Sequence, residues 1–457
     1  MNERAAERRR SLHGEWTSRL AFILALAGSA VGLGNIWRFP YLAGENGGGA
    51  FVLVYLLFVF GIGLPIMMAE VLIGRRGRRN PVTTMQLLGE EETGKSGWRV
   101  VGGLGVVTGF LILSFYSVIA GWTIAYVFES ASGAFRNAGA DTVAGIFQSL
   151  VGNELATGGL HTLFMALTIG VVVLGVEQGL ERAVRIMMPA LIALLLVLLG
   201  YSMTTGSFIE GLVFLFEPRF DELSGAAVLD ALGQAFFTLS VGMGAVMTYG
   251  AYLPENESIP RSCLAVVSLD TSVALLAGLV IFPIVFANGL DPASGPGLVF
   301  QSLPLAFGQM PGGVIVAVLF FVLLMFAAWT SAISLMEPAV AYFMETRGFT
   351  RPKAALLVGT TIWLLGFLTV MSFGAWSDVT FWNGTWFDNI DYLSNNVFLP
   401  LGGLAIVVFA GWIMARNSTA DELDPAAGRG YRFWRWAARY VAPVAVALVL
   451  LNAVGIF

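Results

Sequence analysis

Charge is scarce in this chain. Only 12% of its 457 residues are Asp, Glu, Lys or Arg, while 57% are hydrophobic. A soluble domain carries about 25% charged residues, because its surface needs them to stay in water. A chain of this length with so little charge must be covered by lipid instead. The shortage of charge therefore excludes a soluble protein and indicates an integral membrane protein.

Cysteine and histidine are nearly absent as well. The single cysteine, Cys263, excludes an internal disulfide framework. His13 and His161 lie far apart and make no metal-site pattern. No nucleophile–base pair and no phosphate loop occur, since Gly32 and Gly34 lie inside an apolar run rather than after a strand. We therefore expect neither an enzyme nor, without any basic stripe, a nucleic-acid-binding protein.

Long apolar runs are what the chain has in their place. Hydropathy divides it into eleven candidate helices of about 20 residues, the length that crosses a ~30 Å hydrocarbon core. A β-barrel would show short alternating segments, and none occur. The predicted fold class is therefore an all-α integral membrane protein. The predicted spans are 17–44, 50–74, 98–129, 160–176, 184–203, 228–252, 262–289, 311–345, 353–372, 389–414 and 434–456.

Lys and Arg residues are distributed unevenly between the loops. With the N-terminus inside, 22 of the 25 fall on the cytoplasmic side, and only Arg38, Arg136 and Arg219 do not. This asymmetry is what the positive-inside rule requires. The odd number of spans then places the C-terminus outside. Residues 1–15 are too charged for a usual cleaved signal peptide and are expected to form a cytoplasmic arm.

Two spans are interrupted by glycine at matching positions. The first contains GSAVGLGN at 28–35, and the sixth contains SVGMG at 240–244. One glycine cluster is as often close packing as a break, but unwound backbone at membrane depth survives only where it is buried or lines a cavity. Paired interruptions predict a 5+5 inverted repeat with a substrate site between its halves. The predicted repeats cover 16–203 and 204–415, and 416–457 form a cytoplasmic loop and the eleventh helix.

Several motifs resemble those of the neurotransmitter:sodium symporter family. They are AGSAVGLGNIWRFP at 27–40, ENGGGAF at 45–51, GQAFFTLS at 233–240, WTS at 329–331 and FDNID at 387–391. The likeness covers nearly the whole chain, and the bacterial branch fits best because the loops are short, the outer disulfide is absent and the spans number eleven rather than twelve. The resemblance implies a sodium-coupled symporter that imports an amino acid by alternating access across a bacterial inner membrane.

The resemblance also implies two sodium sites. Sodium is a hard cation that prefers several oxygen ligands, which unwound backbone can supply. The first site is expected to use the Ala30 carbonyl and the side chains of Asn35, Thr238 and Asp270, completed by a substrate carboxylate. The second is expected to use the carbonyls of Gly28, Val31 and Ala327 and the hydroxyls of Thr330 and Ser331. Taken alone, these two hydroxyls would more often bond back to a helical carbonyl.

Asp270 departs from the pattern of chloride-dependent members of the family. Many of those have Asn here and Ser one turn later, whereas this chain has Asp270 and Ala274. Tyr55, Gln234 and Thr238 match other positions of the chloride site. An ionised carboxylate at membrane depth needs a partner, which makes it a functional candidate. We predict that Asp270 replaces chloride, so that no chloride is needed; the alternative is a structural Asp bonded to backbone donors.

The resemblance further implies a substrate pocket. Its expected residues are Ser29, Ala30, Gly32, Leu33, Gly34, Ile112, Tyr116, Phe237, Thr238, Ser240, Met243, Ser331 and Leu335. A substrate carboxylate is expected at the free N–H groups of Leu33 and Gly34, where the second half of the first span begins. Members that carry amines have Asp at the position of Ser29. The expected substrate is an apolar or aromatic α-amino acid, although such side chains at helical spacing alone would indicate packing.

Five charged or hydroxylated positions resemble the family's gates. Arg38 and Asp391 match the outer gate, with Asp388 as a second candidate acid. Tyr252, Glu337 and Glu345 match the inner gate. His13 occupies the place of the inner gate's arginine, and Arg10 is the candidate substitute. In the fifth span, Gly179 and Pro189 indicate either an unwinding segment or a simple kink.

Two other functions remain open at this point. A proton-coupled permease of the same architecture would not need Thr330 and Ser331 together. A membrane receptor that binds an amino acid without transporting it would not need both pairs of gate residues. In every case the expected partners are a small amino acid and the lipid bilayer, and the sequence does not indicate an oligomeric state.

Overall fold

The computed structural model describes residues 9–12, 14–221, 223–293, 297–424 and 428–453. Within these ranges the chain is helical apart from connecting loops, and the only β-type pairing is an isolated bridge between Phe381 and Gly384. The predicted all-α fold class is confirmed. The α-helices are α1 (Arg19–Ala30), α2 (Phe39–Glu45), α3 (Gly49–Phe58), α4 (Leu64–Gly77), α5 (Pro81–Thr93), α6 (Arg99–Ser132), α7 (Ala140–Val151), α8 (Glu154–Val173), α9 (Arg182–Ser202), α10 (Phe208–Phe216), α11 (Gly225–Thr238), α12 (Ala245–Ala251), α13 (Ile259–Ala287), α14 (Leu303–Gln309), α15 (Gly313–Arg347), α16 (Arg351–Phe373), α17 (Trp386–Asp391), α18 (Leu399–Val408), α19 (Arg416–Leu423), α20 (Arg429–Trp436) and α21 (Ala442–Ala453).

Wider π-helical turns join several of these helices into longer spans. They lie at Gly34–Arg38, Val59–Gly63, Val176–Glu181, Leu298–Ser302, Tyr392–Phe398, Phe409–Ile413 and Ala437–Val441, and one 3-10 turn lies at Ser96–Trp98. Such π-helical turns are rare in proteins, and those that occur often lie at functional sites. In this chain, the first of them follows directly on the break in the first span.

The membrane-spanning segments agree with the predicted number. Nine continuous helical segments of the described chain are long and apolar enough to cross a membrane. A tenth is the first span, in which Arg19–Ala30 and Gly34–Glu45 meet at an angle of 54°. The sixth predicted span, 228–252, is divided into α11 and α12. The prediction of about eleven spans, with the first and sixth interrupted, is confirmed.

Two boundaries differ from the sequence prediction around the fifth span. The fourth span runs over Glu154–Val173 and the fifth over Val176–Ser202, so the fifth begins eight residues before its predicted start at 184. The charged residues there conceal the helix from a hydropathy profile. Glu181 is nevertheless buried, because its carboxylate pairs with Arg185 at 2.6 Å and accepts from the Thr17 amide at 3.2 Å. The stretch from Gly179 to Pro189 is helical throughout.

The two longest helices, α6 and α15, lie against each other at the centre of the bundle. They have 34 and 35 residues and pack together along their length. The first span contacts α15 and α13, and α12 contacts α6 and α15. This arrangement buries both interrupted spans, which satisfies the requirement that non-helical backbone be surrounded by protein at membrane depth.

The helices α4 and α12 approach each other as closely as two backbones can. A Cβ on Gly74 would lie 1.9 Å from the carbonyl oxygen of Met247, and a Cβ on Gly250 would lie 2.7 Å from that of Val71. No side chain fits at either position. Glycine therefore fixes α12, the second half of the sixth span, against the second span.

The beginning of α1 and the end of α4 lie on one face of the bundle, which we call the arginine-rich face and define by Arg75, Arg76, Arg78, Arg79 and Arg351. Arg75 pairs with Glu422 of α19 at 2.6 Å and donates to the Glu257 carbonyl at 2.6 Å. Arg78 donates to the Leu253 carbonyl at 2.7 Å. These buried guanidinium groups connect α4 to the loop after α12 and to α19.

Candidate substrate and ion sites

The interrupted spans meet in the middle of the bundle because neither stays helical there. Val31 ends α1 in an extended conformation, with φ −68° and ψ 105°. In the sixth span, Ser240, Gly242 and Gly244 have φ of 52°, 87° and 77°, which continuous helix cannot accommodate. The Ser240 hydroxyl donates to the Ser29 carbonyl at 2.9 Å. One unwound segment is thus hydrogen-bonded to the other.

A small cavity of about 30 Å³ lies at this meeting point. Twelve of the thirteen expected substrate residues line it, and the thirteenth, Thr238, lies in an adjacent polar cluster. The lining residues are Ser29, Ala30, Gly32, Leu33, Gly34, Ile112, Tyr116, Phe237, Ser240, Met243, Ser331 and Leu335. The structure therefore brings together residues from four helical segments that the sequence separates by up to 306 positions, from Ser29 to Leu335.

Main-chain N–H groups face this cavity at the break. The Leu33 N–H donates to the Tyr116 hydroxyl at 3.3 Å, and the Gly32 N–H donates to Asn35 Oδ1 at 3.0 Å. A Cβ on Gly32 would lie 2.6 Å from Ser331 Oγ and 3.0 Å from Tyr116 Oη. The amide end of the second half-helix and two hydroxyl groups are thus positioned to bind an anionic group such as a carboxylate.

The first expected ion site is a closed triangle of polar side chains. Asn35 Nδ2 donates to Asp270 Oδ1 at 2.8 Å and to Thr238 Oγ1 at 3.0 Å, and the Thr238 hydroxyl donates to Asp270 Oδ2 at 3.0 Å. All three side chains are at most 1% exposed. In the described part of the chain, no Lys or Arg lies within 4.0 Å of the Asp270 carboxylate. A buried carboxylate with only neutral partners fits a cation beside it.

Further buried polar atoms surround this triangle. Gln234 Nε2 donates to the Gly34 carbonyl at 2.9 Å, which holds α11 against the break of the first span. Gln234 Oε1, the Tyr55 hydroxyl and Thr271 Oγ1 have no hydrogen-bond partner among the described protein atoms. Buried polar groups are nearly always satisfied. The surroundings of Asp270 therefore have spare capacity for a ligand, an ion or water.

The second expected ion site gathers neutral oxygen atoms around α15. The Ser331 hydroxyl lies 3.4 Å from the Gly28 carbonyl oxygen and 3.2 Å from that of Val31. The Thr330 hydroxyl lies 3.0 Å from the Ala327 carbonyl oxygen. These carbonyls include the last of α1, which have no amide partners further along the chain. Neutral carbonyl and hydroxyl oxygens of this kind are the donors that a hard monovalent cation prefers.

The Thr330 hydroxyl also bonds to the Phe326 carbonyl at 3.1 Å, one turn earlier in α15. This is the helical back-bonding that is the ordinary arrangement for Ser and Thr. The Gly28 backbone nevertheless reaches this side chain, since a Cβ on Gly28 would lie 3.4 Å from Thr330 Cβ. Back-bonding leaves the second lone pair of the hydroxyl oxygen available to an ion.

A wider vestibule of about 450 Å³ extends from the cavity toward the face opposite the arginine-rich face. Leu33, Tyr116 and Phe237 line both spaces and therefore separate them. Arg38 and Asp391, the expected outer gate, also line the vestibule. No ion pair joins them within 4.0 Å in the described part of the chain.

Each of the two residues expected to form the outer gate has a different neighbour. The Arg38 guanidinium lies over the Phe237 ring, 4.8 Å from its centroid, which is the geometry of a cation–π contact. Asp391 accepts from Asn395 Nδ2 at 2.7 Å. Asp388, the second candidate acid, forms a capping box with Thr385 at the start of α17. Asp388 therefore has a structural role that the sequence motif did not reveal.

The arginine-rich face is closed beneath the cavity by a buried charge pair. Arg351 binds Glu337 with both of its terminal nitrogens, at 2.9 and 2.5 Å, and Tyr252 donates to Glu337 Oε1 at 3.0 Å. Glu337 is fully buried and Arg351 is 12% exposed. Trp16 covers this group, with its backbone N–H donating to the Tyr252 carbonyl at 3.0 Å. The expected inner residues Tyr252 and Glu337 are thus in contact.

Arg351 was not predicted to belong to this network; in the sequence it is one of the basic residues of a cytoplasmic loop. The sequence does contain an indication of this pair. A carboxylate such as Glu337 in an apolar span needs a cationic partner, and Arg351 lies at the start of the next helix. Glu345 instead accepts from the Asn80 backbone and side-chain nitrogens at 2.9 and 2.7 Å. The Arg10 carbonyl accepts from Arg79 at 2.8 Å, and His13 lies outside the described residues.

Comparison with known proteins bears on the same residues. The model of the Sodium:neurotransmitter symporter family matches residues 13–139 and 155–457. An uncharacterized sodium-dependent transporter of Bacillus subtilis, YhdH, is 40% identical over 97% of this chain and 98% of its own length. Another from Haemophilus influenzae is 32% identical over 96% and 97%. The rat sodium- and chloride-dependent taurine transporter is 28% identical over 79% and 66%.

A solved structure extends the comparison to three dimensions. The crystal structure of MhsT in complex with L-phenylalanine superimposes with a TM-score of 0.88 at 45% sequence identity, and the match covers 96% of this chain and 99% of MhsT. At this identity and coverage, the order and packing of the helices are shared.

Proposed function

This chain belongs to the Sodium:neurotransmitter symporter family and is a sodium-dependent membrane transporter, and from that premise we propose that it imports an apolar or aromatic L-amino acid together with sodium. The observation that carries the proposal is the cavity between the two interrupted spans, with main-chain N–H groups at one end and apolar side chains at the other. No enzymatic activity is part of this function.

The lining of the cavity supports an amino acid with an apolar side chain. In this proposal a substrate carboxylate replaces the Tyr116 hydroxyl as the acceptor of the Leu33 N–H, and also accepts from the Gly34 N–H and from that hydroxyl. Ile112, Met243 and Leu335 surround the remaining space, and methionine adapts to ligands of different shape. Ser29 offers no charge to an amine without a carboxylate. The phenylalanine bound by MhsT is of the same chemical class.

The present size of the cavity implies movement on binding. A volume of about 30 Å³ is on the order of one or two water molecules. An amino acid can enter only if side chains between cavity and vestibule shift, and Tyr116 and Phe237 occupy that boundary. We propose that they close again above the bound substrate.

Two sodium ions would be transported with the substrate in this proposal. The first would lie between Asp270, Asn35, Thr238 and the Ala30 carbonyl, next to the substrate carboxylate, so that each ligand increases the affinity for the other. The second would lie between α1 and α15, at Gly28, Val31, Ala327, Thr330 and Ser331. An ion at this position would hold the first span against α15 and would release it on leaving.

Chloride is not required in this proposal, because Asp270 already carries the negative charge. Its carboxylate lies where chloride-dependent family members are expected to have a neutral Asn, and Ala274 removes the hydroxyl one turn later. A fixed carboxylate neutralises the first sodium ion without a second anion.

We also propose that the arginine-rich face is cytoplasmic in a bacterial inner membrane, with the C-terminus outside. The distribution of Lys and Arg supports this orientation. The vestibule would then face the outside, and the Trp16, Tyr252, Glu337 and Arg351 group would close the inner side. Transport would consist of opening these two sides in turn.

The experiment that tests the substrate and its coupling is a thermal-shift screen of the purified protein with each standard amino acid, in sodium or potassium gluconate. A ligand that binds only the folded state raises its stability, by about 2.7 kcal/mol at a hundredfold excess over Kd. We expect stabilisation by apolar and aromatic amino acids in sodium alone. Stabilisation that is equal in potassium would contradict sodium coupling and favour a proton-coupled permease.

Uptake into proteoliposomes tests transport and chloride together. Sodium-driven uptake should be undiminished when gluconate replaces chloride, whereas the double variant Asp270→Asn, Ala274→Ser should require chloride. Ala274→Ser alone is the control and should not. A strict chloride requirement of the unmodified protein would overturn this part of the proposal, and binding without counterflow would indicate a receptor.

A further inference from the structure

The eleventh span begins with an unusual outward-facing stripe of arginine and aromatic residues. Phe433, Trp436 and Tyr440 are 59%, 53% and 50% exposed, respectively. Arg429 and Arg432 are exposed, and Arg439 is half-buried. Their spacing of three or four residues places them on one side of α20 and the following turn. We call Arg429, Arg432, Phe433, Trp436, Arg439 and Tyr440 the arginine–aromatic stripe.

The opposite side of α20 is occupied by protein contacts. Tyr431 and Trp434 are 3% and 2% exposed. The Trp434 indole donates to the Pro65 carbonyl at 3.0 Å, and the Tyr431 hydroxyl bonds to Thr419 at 2.8 Å. Arg435 turns inward to the same hydroxyl groups, at 2.9 and 3.0 Å. These contacts fix the helix to the bundle and do not involve the arginine–aromatic stripe, which lies on the other side of α20.

The arginines of the stripe have no acidic partner among the residues that the structure describes. No Asp or Glu lies within 4.0 Å of Arg429, Arg432 or Arg439 in the described ranges. The Arg439 guanidinium lies 4.3 Å from the centre of the Trp412 ring, and its Nε is buried without a hydrogen-bond acceptor. A buried, charged donor with no acceptor calls for an oxygen atom from outside the described chain.

We propose that the arginine–aromatic stripe is a binding site for an anionic phospholipid in the leaflet at the arginine-rich face. The stripe opens a membrane-spanning segment, Arg429–Asn452, so its outer side meets lipid at the level of the headgroups. Guanidinium groups bind phosphate oxygens bidentately. Trp and Tyr favour the same interfacial depth, where their rings lie along the upper acyl chains and their polar atoms meet water.

The spacing of the arginines favours a defined binding site over a diffuse electrostatic attraction to the membrane surface. Arg432 and Arg439 are seven residues apart, which is about 10 Å along a helix. Trp436 lies between them, and Trp412 of the tenth span borders Arg439 at 4.3 Å. The phosphate would lie against the guanidinium groups, and the acyl chains would descend between the tenth and eleventh spans past Trp412 and Tyr440, whose rings are 5.6 Å apart.

Native mass spectrometry of the detergent-purified protein tests the proposal, with added phosphatidylglycerol or phosphatidylcholine as the probe. We expect preferential retention of phosphatidylglycerol, and an affinity at least tenfold weaker in the double variant Arg432→Gln, Arg439→Gln. The matched control is Arg182→Gln, Arg347→Gln, which removes two exposed arginines from other helices of the same face. The control should change the affinity less than twofold.

Three results would overturn the proposal. One is equal retention of the two lipids by the unmodified protein. A second is an equal loss of phosphatidylglycerol in both double variants, which would indicate net charge rather than a site. The third is unchanged lipid retention together with loss of an acidic protein that copurifies, which would make the stripe a protein interface. A thermal midpoint like that of the unmodified protein shows that the double variant is folded.

Discussion

At the scale of the residue, Gly32 determines how closely the first span can approach α15. A side chain there would lie 2.6 Å from Ser331 Oγ. The same hydroxyl lies 3.2 Å from the Val31 carbonyl oxygen, within the second proposed ion site. Because Gly32 has no side chain, it leaves room for both the cavity and the second proposed ion site.

Gly32→Ala should weaken both substrate and sodium binding. The new methyl group would displace the Ser331 hydroxyl from the carbonyl oxygens and would press on Tyr116. With radiolabelled phenylalanine as the probe of the proposed substrate site, we expect the sodium concentration needed for half-maximal equilibrium binding to rise at least tenfold.

Gly103→Ala is the matched control for this variant. A Cβ on Gly103 has nothing within 4 Å, although the residue also lies within a membrane-spanning helix. Its binding curve should coincide with that of the unmodified protein. Equal sodium dependence of all three proteins would show that Ser331 does not bind the ion.

The sequence predicted the residues of the cavity more fully than those that support it. Motifs such as 27–40 determine which backbone atoms unwind, so Leu33 and Gly34 could be located in advance. The pairing of Arg351 with Glu337 depends on how α15 and α16 fold back on each other, which no local pattern encodes. The capping role of Asp388 does follow from a local pattern, but the same motif also resembled a gate, so the sequence did not distinguish the two roles.

At the scale of the element, α4 and α12 behave as one unit. Their contact at Gly74 and Gly250 is between backbones, without side chains that could slide or change rotamer. Glu70 of α4 also accepts from the Gly242 N–H at 3.0 Å. The second half of the sixth span therefore cannot move without the second span.

Gly74→Ala should destabilise the protein by separating this unit. Its Cβ would overlap the Met247 carbonyl oxygen at 1.9 Å, so the backbones must part. Overpacking of this kind costs about 3 kcal/mol. We expect a clearly lower thermal midpoint in detergent at a fixed heating rate.

Gly61→Ala provides the comparison within the same span. A Cβ on Gly61 meets nothing within 4 Å. The thermal midpoint of Gly61→Ala should therefore differ from that of the unmodified protein by no more than the equivalent of about 1 kcal/mol. If Gly74→Ala were as stable as Gly61→Ala, the close backbone contact would not be a constraint in solution.

The existence of the spans could be predicted from hydropathy, but their ends could not always be. The fifth span begins at Val176 and includes Glu181, whose charge is compensated by Arg185 and whose carboxylate accepts a hydrogen bond from the Thr17 amide. The eleventh begins at Arg429, and its first arginines, Arg429 and Arg432, lie on the exposed side of α20. In both cases the helix extends through charged residues whose partners or surroundings are set by the tertiary structure.

At the scale of the whole molecule, the two faces of the bundle differ. A vestibule of about 450 Å³ leads toward the cavity from one face. On the arginine-rich face, Trp16 and Tyr252 are 2% and 1% exposed above the buried Glu337–Arg351 pair. The structure thus represents a state that is closed on the arginine-rich side.

Glu337→Gln should loosen this closed side. Removing one partner from a buried ion pair destabilises a protein by about 3–5 kcal/mol, because the other charge stays buried. We expect a lower thermal midpoint and faster hydrogen–deuterium exchange of the Trp16 amide, which donates to the Tyr252 carbonyl.

The corresponding change in a partly exposed ion pair is Glu91→Gln, whose partner is Arg9. Exposed pairs contribute about 0–1 kcal/mol, so neither the midpoint nor the Trp16 exchange rate should change measurably. Equal behaviour of the two variants would mean that the Glu337–Arg351 pair does not keep this side closed.

The position of Phe237 links the contents of the cavity to the charge at its entrance. One edge of the ring lies against Gly34, where a Cβ would come within 2.9 Å, and the Arg38 guanidinium lies on its face. A ligand that rotates the ring also removes the surface on which the cation rests. If Arg38 and Asp391 form the outer gate as we propose, we expect a molecule that fills the cavity and holds Arg38 away from Asp391 to inhibit transport rather than be transported.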